Sequence, residues 1–206
     1  MKKLAALALA LMGASVALFA FAFTTASASQ SGGLRAVKAA TARFQSYRVA
    51  KRAGYSIKGE PCVSAPPPPG LTGAMGIHAV NKTLAGDMNI RPTHPDILLY
   101  LPGRDGKLRL VGVEYFKVAL VNTPTGPAPW FGVPNDPNDP NRDPNAPPLP
   151  DGFVTTAPSV LGHTFDGPMP GHNPSMPWHY DLHVWLWAHN PAGLFAPFNP
   201  SLKCPS

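Results

Sequence analysis

The run Trp178-His179-Tyr180-Asp181-Leu182-His183-Val184-Trp185-Leu186-Trp187 limits the folds open to this chain more than any other stretch. Successive side chains of a strand point to opposite faces. One face then carries Tyr180, Leu182, Val184 and Leu186, an unbroken apolar set that must cover a core. The other carries His179, Asp181, His183, Trp185 and Trp187. His179 and His183 would also share a helical face, but Asp181 would not, and the β-branched and aromatic content favours a strand. A sheet is therefore required, and one of its faces holds two imidazoles and a carboxylate beside two indoles.

Other segments supply partners for that strand. Met75 to Asn81 reads as a short strand, and Ile97 to Leu101 as another. Asp105-Gly106 between two apolar runs signals a hairpin leading into Leu108 to Val121, the most β-like run in the chain. Leu34 to Ala53 has the one good helical pattern. Leu34, Val37, Ala40, Phe44, Tyr47 and Ala50 form an apolar stripe, and Gly54 follows as a C-terminal cap. The basic residues of this segment fall largely off the stripe, as on a helix laid across a sheet with a solvated face.

With 27 prolines and 19 glycines, the connections must be long and irregular. Pro66 to Pro69 reads as a stiff polyproline-like loop. Residues 124 to 158, centred on the Asp-Asn-Pro run 135–145, read as a low-complexity surface loop. Asp136, Asp139 and Asp143 lack the spacing and central glycine of a calcium loop. The expected architecture is α+β: an N-terminal amphipathic helix on a mainly antiparallel sheet with long Pro-rich loops, the sequence leaving open whether that sheet is barrel-like.

Residues 1 to 28 have the form of a secretory signal: Lys2 and Lys3, an apolar run from Leu4 to Phe23, and Ala26-Ser27-Ala28 as the cleavage site. A single domain over residues 29 to 206 follows, with no later transmembrane segment. Removing the signal lowers the formal charge from +6 to +4. Export and so mild a charge argue against a nucleic-acid partner. In a secreted or periplasmic protein the two cysteines, Cys62 and Cys204, are expected to form a disulfide.

Candidate chemistry arises where polar residues stand in apolar strands. Glu114 lies on a strand face with Leu110, Gly112, Phe116 and Val118, and His78 sits between Ile77 and Val80. A carboxylate in such a place is costly unless paired or coordinated. His78, Glu114, His179 and His183 are therefore candidate ligands for a divalent transition metal: zinc, copper, iron or manganese. Asp181 is a candidate ligand or an acceptor that orients an imidazole, and His172 a candidate loop ligand. Trp185 and Trp187 would wall the site. The structural alternative pairs Glu114 with Arg109 or a histidine. Two other functions remain open: a non-catalytic module binding a small molecule or envelope component in a pocket of Trp185, Trp187, Phe195 and Phe198, or a structural secreted protein. No nucleophile elbow, phosphate loop, dinucleotide fingerprint or haem motif is present.

Several segments resemble a group of secreted bacterial proteins of unknown function. They are Ala40-Thr41-Ala42 with Ala53-Gly54-Tyr55, Met75-Gly76-Ile77-His78 with Asn81, Val111-Gly112-Val113-Glu114-Tyr115, Leu182 to Trp187 with Asn190-Pro191, and Phe195 to Pro200. The resemblance spans most of the mature chain outside the Asp-Asn-Pro loop. It implies export and a single domain, and assigns no activity or ligand.

Overall fold

The computed structural model describes residues 30–65, 72–131, 152–172 and 176–205. The expected signal at 1–28, the polyproline loop at Pro66 to Pro69 and the low-complexity centre of the 124–158 loop lie outside them.

The chain is a mixed α/β structure with few helices and a mostly antiparallel, strongly curled half-barrel sheet. The strands are β1 (Cys62–Ser64), β2 (Ala74–Val80), β3 (Ile97–Pro102), β4 (Leu108–Val118), β5 (Leu120–Thr123), β6 (Gly126–Pro129), β7 (Ser159–Val160), β8 (His163–Thr164), β9 (Asp166–Met169) and β10 (His179–Val184). Six of them form the main sheet in the order β1-β2-β3-β4-β10-β9, while β5-β6 and β7-β8 are separate two-stranded pairs. The Asp-Gly signal marks the β3–β4 hairpin, where Gly103 N–H donates to Lys107 C=O at 2.8 Å. Part of the expected 124–158 loop is ordered as β6, which pairs with β5.

Each face of the sheet has its own apolar cluster. One holds Leu98, Tyr100, Val113, Tyr115, Tyr180, Leu182 and Val184. The helical residues pack on this face, burying Val37, Phe44 and Ala50 of the expected stripe. The opposite face holds Ile97, Leu99, Leu101, Val111, Phe116 and Trp185.

Two expectations are corrected here. The segment expected as one helix over Leu34 to Ala53 is broken. Residues 30–41 are α-helical, Ala42–Gln45 is a 3-10 turn, Ser46 is extended at ψ 108°, and a second helix covers Tyr47–Arg52. Ser46 is well suited to start a helix, and its carbonyl accepts from Val49 and Ala50 N–H. The Tyr100 hydroxyl donates to the Phe44 carbonyl, which satisfies a group left free at the break. Gly54 follows the second helix at φ 96°, the left-handed conformation that a C-terminal cap needs.

The second correction concerns β4. Leu99 pairs with Gly112, but Tyr100 pairs with Leu110, so Val111 is an extra residue in a bulge. The bulge reverses the alternation below it. Val111 joins the face of Glu114, and Leu110, expected on that face, packs on the other.

The expected disulfide joins Cys62 to Cys204 across a sequence separation of 142. The C-terminal segment reaches it along the sheet. Asn199 exchanges backbone hydrogen bonds with Ala74, and its side-chain amide donates to His189 C=O. Among the described residues no helix is long and apolar enough to cross a membrane.

Candidate metal centre

Register places the site. Glu114 of β4 lies between Ile97 of β3 and His183 of β10. His78 of β2 stands opposite Leu99, one step along the sheet. Glu114, His183 and His78 share the face of the smaller apolar cluster with Ile97 and Leu99, and curling of the sheet lets His78 reach over β3. His78 Nε2 is 3.1 Å from Glu114 Oε2, and His183 Nε2 is 3.6 Å from the same oxygen. One ligand atom from each of His78, Glu114 and His183 lies within 4.8 Å of the other two, so the group can hold a metal ion.

These distances suit ligands of one ion better than a hydrogen-bonded network. Two ligands at about 2.0–2.1 Å from a tetrahedral ion lie about 3.3 Å apart. The two contacts to Glu114 bracket that separation. The 4.8 Å limit is above the roughly 4.2 Å that two such bonds span in line, so the three side chains would have to close inward slightly to share one ion.

Asp181, on the same face, supports the group. Its Oδ1 is 3.7 Å from His183 Nδ1 and its Oδ2 is 3.5 Å from His179 Nε2. His183 thus presents one nitrogen to Glu114 and the other to Asp181, as metal-bound imidazoles do with an outer carboxylate. His179 Nδ1 donates to Pro177 C=O at 3.1 Å, which leaves its Nε2 facing Asp181, and its ring stacks on Phe116. His179, expected as a direct ligand, is therefore one place removed from the His78-Glu114-His183 group. His172 sits at the exposed edge, its ring 5.5 Å from that of His78 and 5.9 Å from that of His179.

Burial dominates the electrostatics. His78, Glu114, His179, Asp181 and His183 are all buried. Burial raises Glu114 to about 8, against the pull of His183. It lowers His78 to about 4. Burial also pushes Asp181 upward, but the imidazoles of His183 and His179 outweigh it and hold the carboxyl below its ordinary value. His172 is lowered by partial burial and by the imidazoles of His78 and His179.

Arg109 does not take part. It pairs at the surface with Asp105 at 3.8 Å, which removes it as the structural partner of Glu114.

The tryptophans part company because β10 ends at Val184. Trp185 N–H donates to Leu194 C=O, while Trp187 and Ala188 N–H donate to Val111 C=O, and this bend turns Trp187 over. Trp185 stays beside the site, its ring stacked on His183 at 6.2 Å. Trp187, expected as a second wall, packs with the other cluster beneath Lys38. Phe195 stacks on His163. Trp185 thus lies with one apolar cluster, and Trp187 and Phe195 with the other.

Gly112 is a residue whose part the sequence did not reveal. A Cβ there would meet Trp185 Cε3 at 3.3 Å and Val184 O at 3.1 Å. Hydrogen at this position leaves room for the indole beside His183, where a methyl would push both neighbours back by a few tenths of an ångström. Gly112→Ala is expected to lower stability by about 1–3 kcal/mol through overpacking, read as a fall in the urea midpoint. An unchanged midpoint would show that the indole is not held there.

A cavity of about 280 Å³ adjoins the group. His78, Ile97, Phe116 and His172 line it, together with Val63, Val80, Val118 and Met176. Its signal in the sequence was faint, because its outer wall comes from the three-residue β1 and the five-residue helix Lys82–Gly86. That helix begins at Asn81, whose side chain accepts from Thr83 and Leu84 N–H. Comparison with known proteins finds no family model, no characterised protein and no solved structure that matches this chain.

Proposed function

We propose that the chain is an exported protein that binds one divalent transition metal through His78 Nε2, Glu114 and His183 Nε2, with Asp181 orienting His183. One observation carries the reading. Among the described residues, eight buried side-chain nitrogen and oxygen atoms lack a hydrogen-bond partner, and all eight belong to His78, Glu114, His179, Asp181 and His183. Buried polar atoms are nearly always paired, and leaving a carboxylate unpaired costs several kcal/mol. The His78–Glu114 approach is short but does not have hydrogen-bond geometry. A cation held by His78, Glu114 and His183 would satisfy the facing atoms of those three side chains, leaving Asp181 between His179 and the far nitrogen of His183. Two nitrogens and one oxygen suit zinc, copper, iron or manganese, with geometry and supply deciding among them. Export is supported by the signal-like pattern of residues 1 to 28 and by the disulfide, which persists in oxidising compartments.

Titration of metal-free protein with Zn(II) against a competing chelator tests the reading. One ion per chain is expected, with binding lost in His183→Ala. Asp181→Asn keeps all three ligands and is expected to weaken zinc by about 10–100-fold at unchanged stoichiometry. Equal affinity in Asp181→Asn and wild type would remove Asp181 from the centre. Equal affinity in His183→Ala and wild type would overturn the assignment.

A further inference from the structure

The cavity beside His78 has no part in holding the ion, yet it shares a wall with it. The three proposed ligands come from β2, β4 and β10. A centre with three protein ligands keeps a position open for an exogenous one. His78 is both a member of the group and a lining residue of the cavity, and it is buried with an unpartnered Nε2. Beyond it the lining is mostly apolar: Val63, Val80, Ile97, Phe116, Val118 and Met176.

At about 280 Å³ the cavity lies near the lower end of the small-molecule range, roughly 300–1,000 Å³. That is room for one ring or a short branched chain with a small head. An apolar wall beside a cation asks for an amphiphile, with its hydrocarbon part against the side chains and an oxygen donor at the ion. Glu60 and Lys82 also line the cavity. Their opposite charges give the lining no net preference, so the ion supplies the attraction for an anionic head.

We infer that this cavity binds a small monocarboxylate with a compact apolar body, whose carboxylate completes the coordination of the ion held by His78, Glu114 and His183. The inference rests on the metal reading above and specifies the ligand class of the same site.

Co(II) is the probe for the centre, because its visible absorption reports coordination, and benzoate and acetate are the probes for the cavity. Co(II)-loaded wild type is expected to show ligand-field bands that shift on adding benzoate, with benzoate binding at least about tenfold tighter than acetate because its ring is buried. Ala85, on the Lys82–Gly86 helix, lines the cavity and is not a proposed ligand. Ala85→Trp is expected to keep the bands and lose the benzoate shift. Bands that ignore benzoate, acetate binding as tightly as benzoate, or an undiminished shift in Ala85→Trp would each overturn the cavity assignment and leave the metal reading standing. Absence of Co(II) bands in wild type would overturn the metal reading, and this inference with it.

Discussion

Glu114→Gln is expected to change metal affinity and metal-free stability in opposite directions. It removes the anionic ligand of the proposed centre, so zinc affinity should fall by more than the roughly 10–100-fold expected for loss of the orienting Asp181 carboxylate. The same change removes a buried carboxylate whose two oxygens lack hydrogen-bond partners. Burial holds Glu114 protonated in the metal-free folded chain near neutral pH, and taking up that proton costs stability that glutamine does not incur, so the metal-free protein should gain up to about 3 kcal/mol. A structural ion pair with His78 makes the contrary prediction, a loss of about 3–5 kcal/mol when one partner is removed. Urea unfolding of metal-free wild type and variant separates the two.

The pH dependence follows from the same burial. Glu114 rises from its ordinary 4.5 to about 8 in the folded chain. The folded state then holds this proton more tightly than the unfolded state, so the contribution to stability falls as pH rises between those values. His78 falls from 6.5 to about 4, so the unfolded state binds its proton more tightly, and stability is lost as pH falls through that interval. Between about pH 4.5 and 6.5 the two effects oppose each other. Above about 6.5 only Glu114 acts, and the metal-free urea midpoint should fall toward pH 8. Zinc requires the carboxylate ionised and both imidazoles neutral, so the stabilisation it adds should grow over that same upper interval. In Glu114→Gln the fall should be absent.

Reducing the Cys62–Cys204 disulfide is expected to have the largest effect on the fold itself. Its sequence separation of 142 corresponds to about 5 kcal/mol of loop-closure entropy removed from the unfolded chain. Domains of this kind have a total stability of about 5–15 kcal/mol. The bond also fixes the edge strand β1, which is three residues long and pairs only with β2 in the sheet. Glu60, Pro61 and Val63, beside Cys62, line the cavity. Urea unfolding with and without a phosphine reductant measures the effect. A markedly lower midpoint is expected in the reduced protein, as in a Cys62→Ser, Cys204→Ser double variant. An unchanged midpoint would show that the native contacts of β1 and the C-terminal segment suffice without the bond.

The parts of the fold that could be read from sequence are those set by local rules. Alternation located β2, β3, β4 and β10, and the Asp-Gly pair located the turn between β3 and β4. The same alternation exposed His78, Glu114 and His183, because each is a polar residue where the pattern calls for an apolar one. The features that could not be read depend on long-range contacts. The extra residue at Val111 exists only in register with Leu99 and Tyr100 of β3, and it moves Leu110 to the other face. The break at Ser46 is stabilised by a hydroxyl from β3. Trp187 leaves the site because Val111 supplies a carbonyl that bends the chain. His179 has the same spacing from Asp181 as His183 but is drawn aside by Pro177 and Phe116. Strand β9 contains Gly167-Pro168, which argues against a central strand, and it occupies the sheet edge where proline is tolerated.

The central claim is that one ion sits among His78, Glu114 and His183. X-ray absorption at the zinc edge, on protein loaded with one equivalent, tests it most directly. The expected spectrum has a first shell of nitrogen and oxygen near 2.0–2.1 Å, with outer-shell scattering from two imidazoles. A shell of oxygen alone, without imidazole scattering, would contradict it.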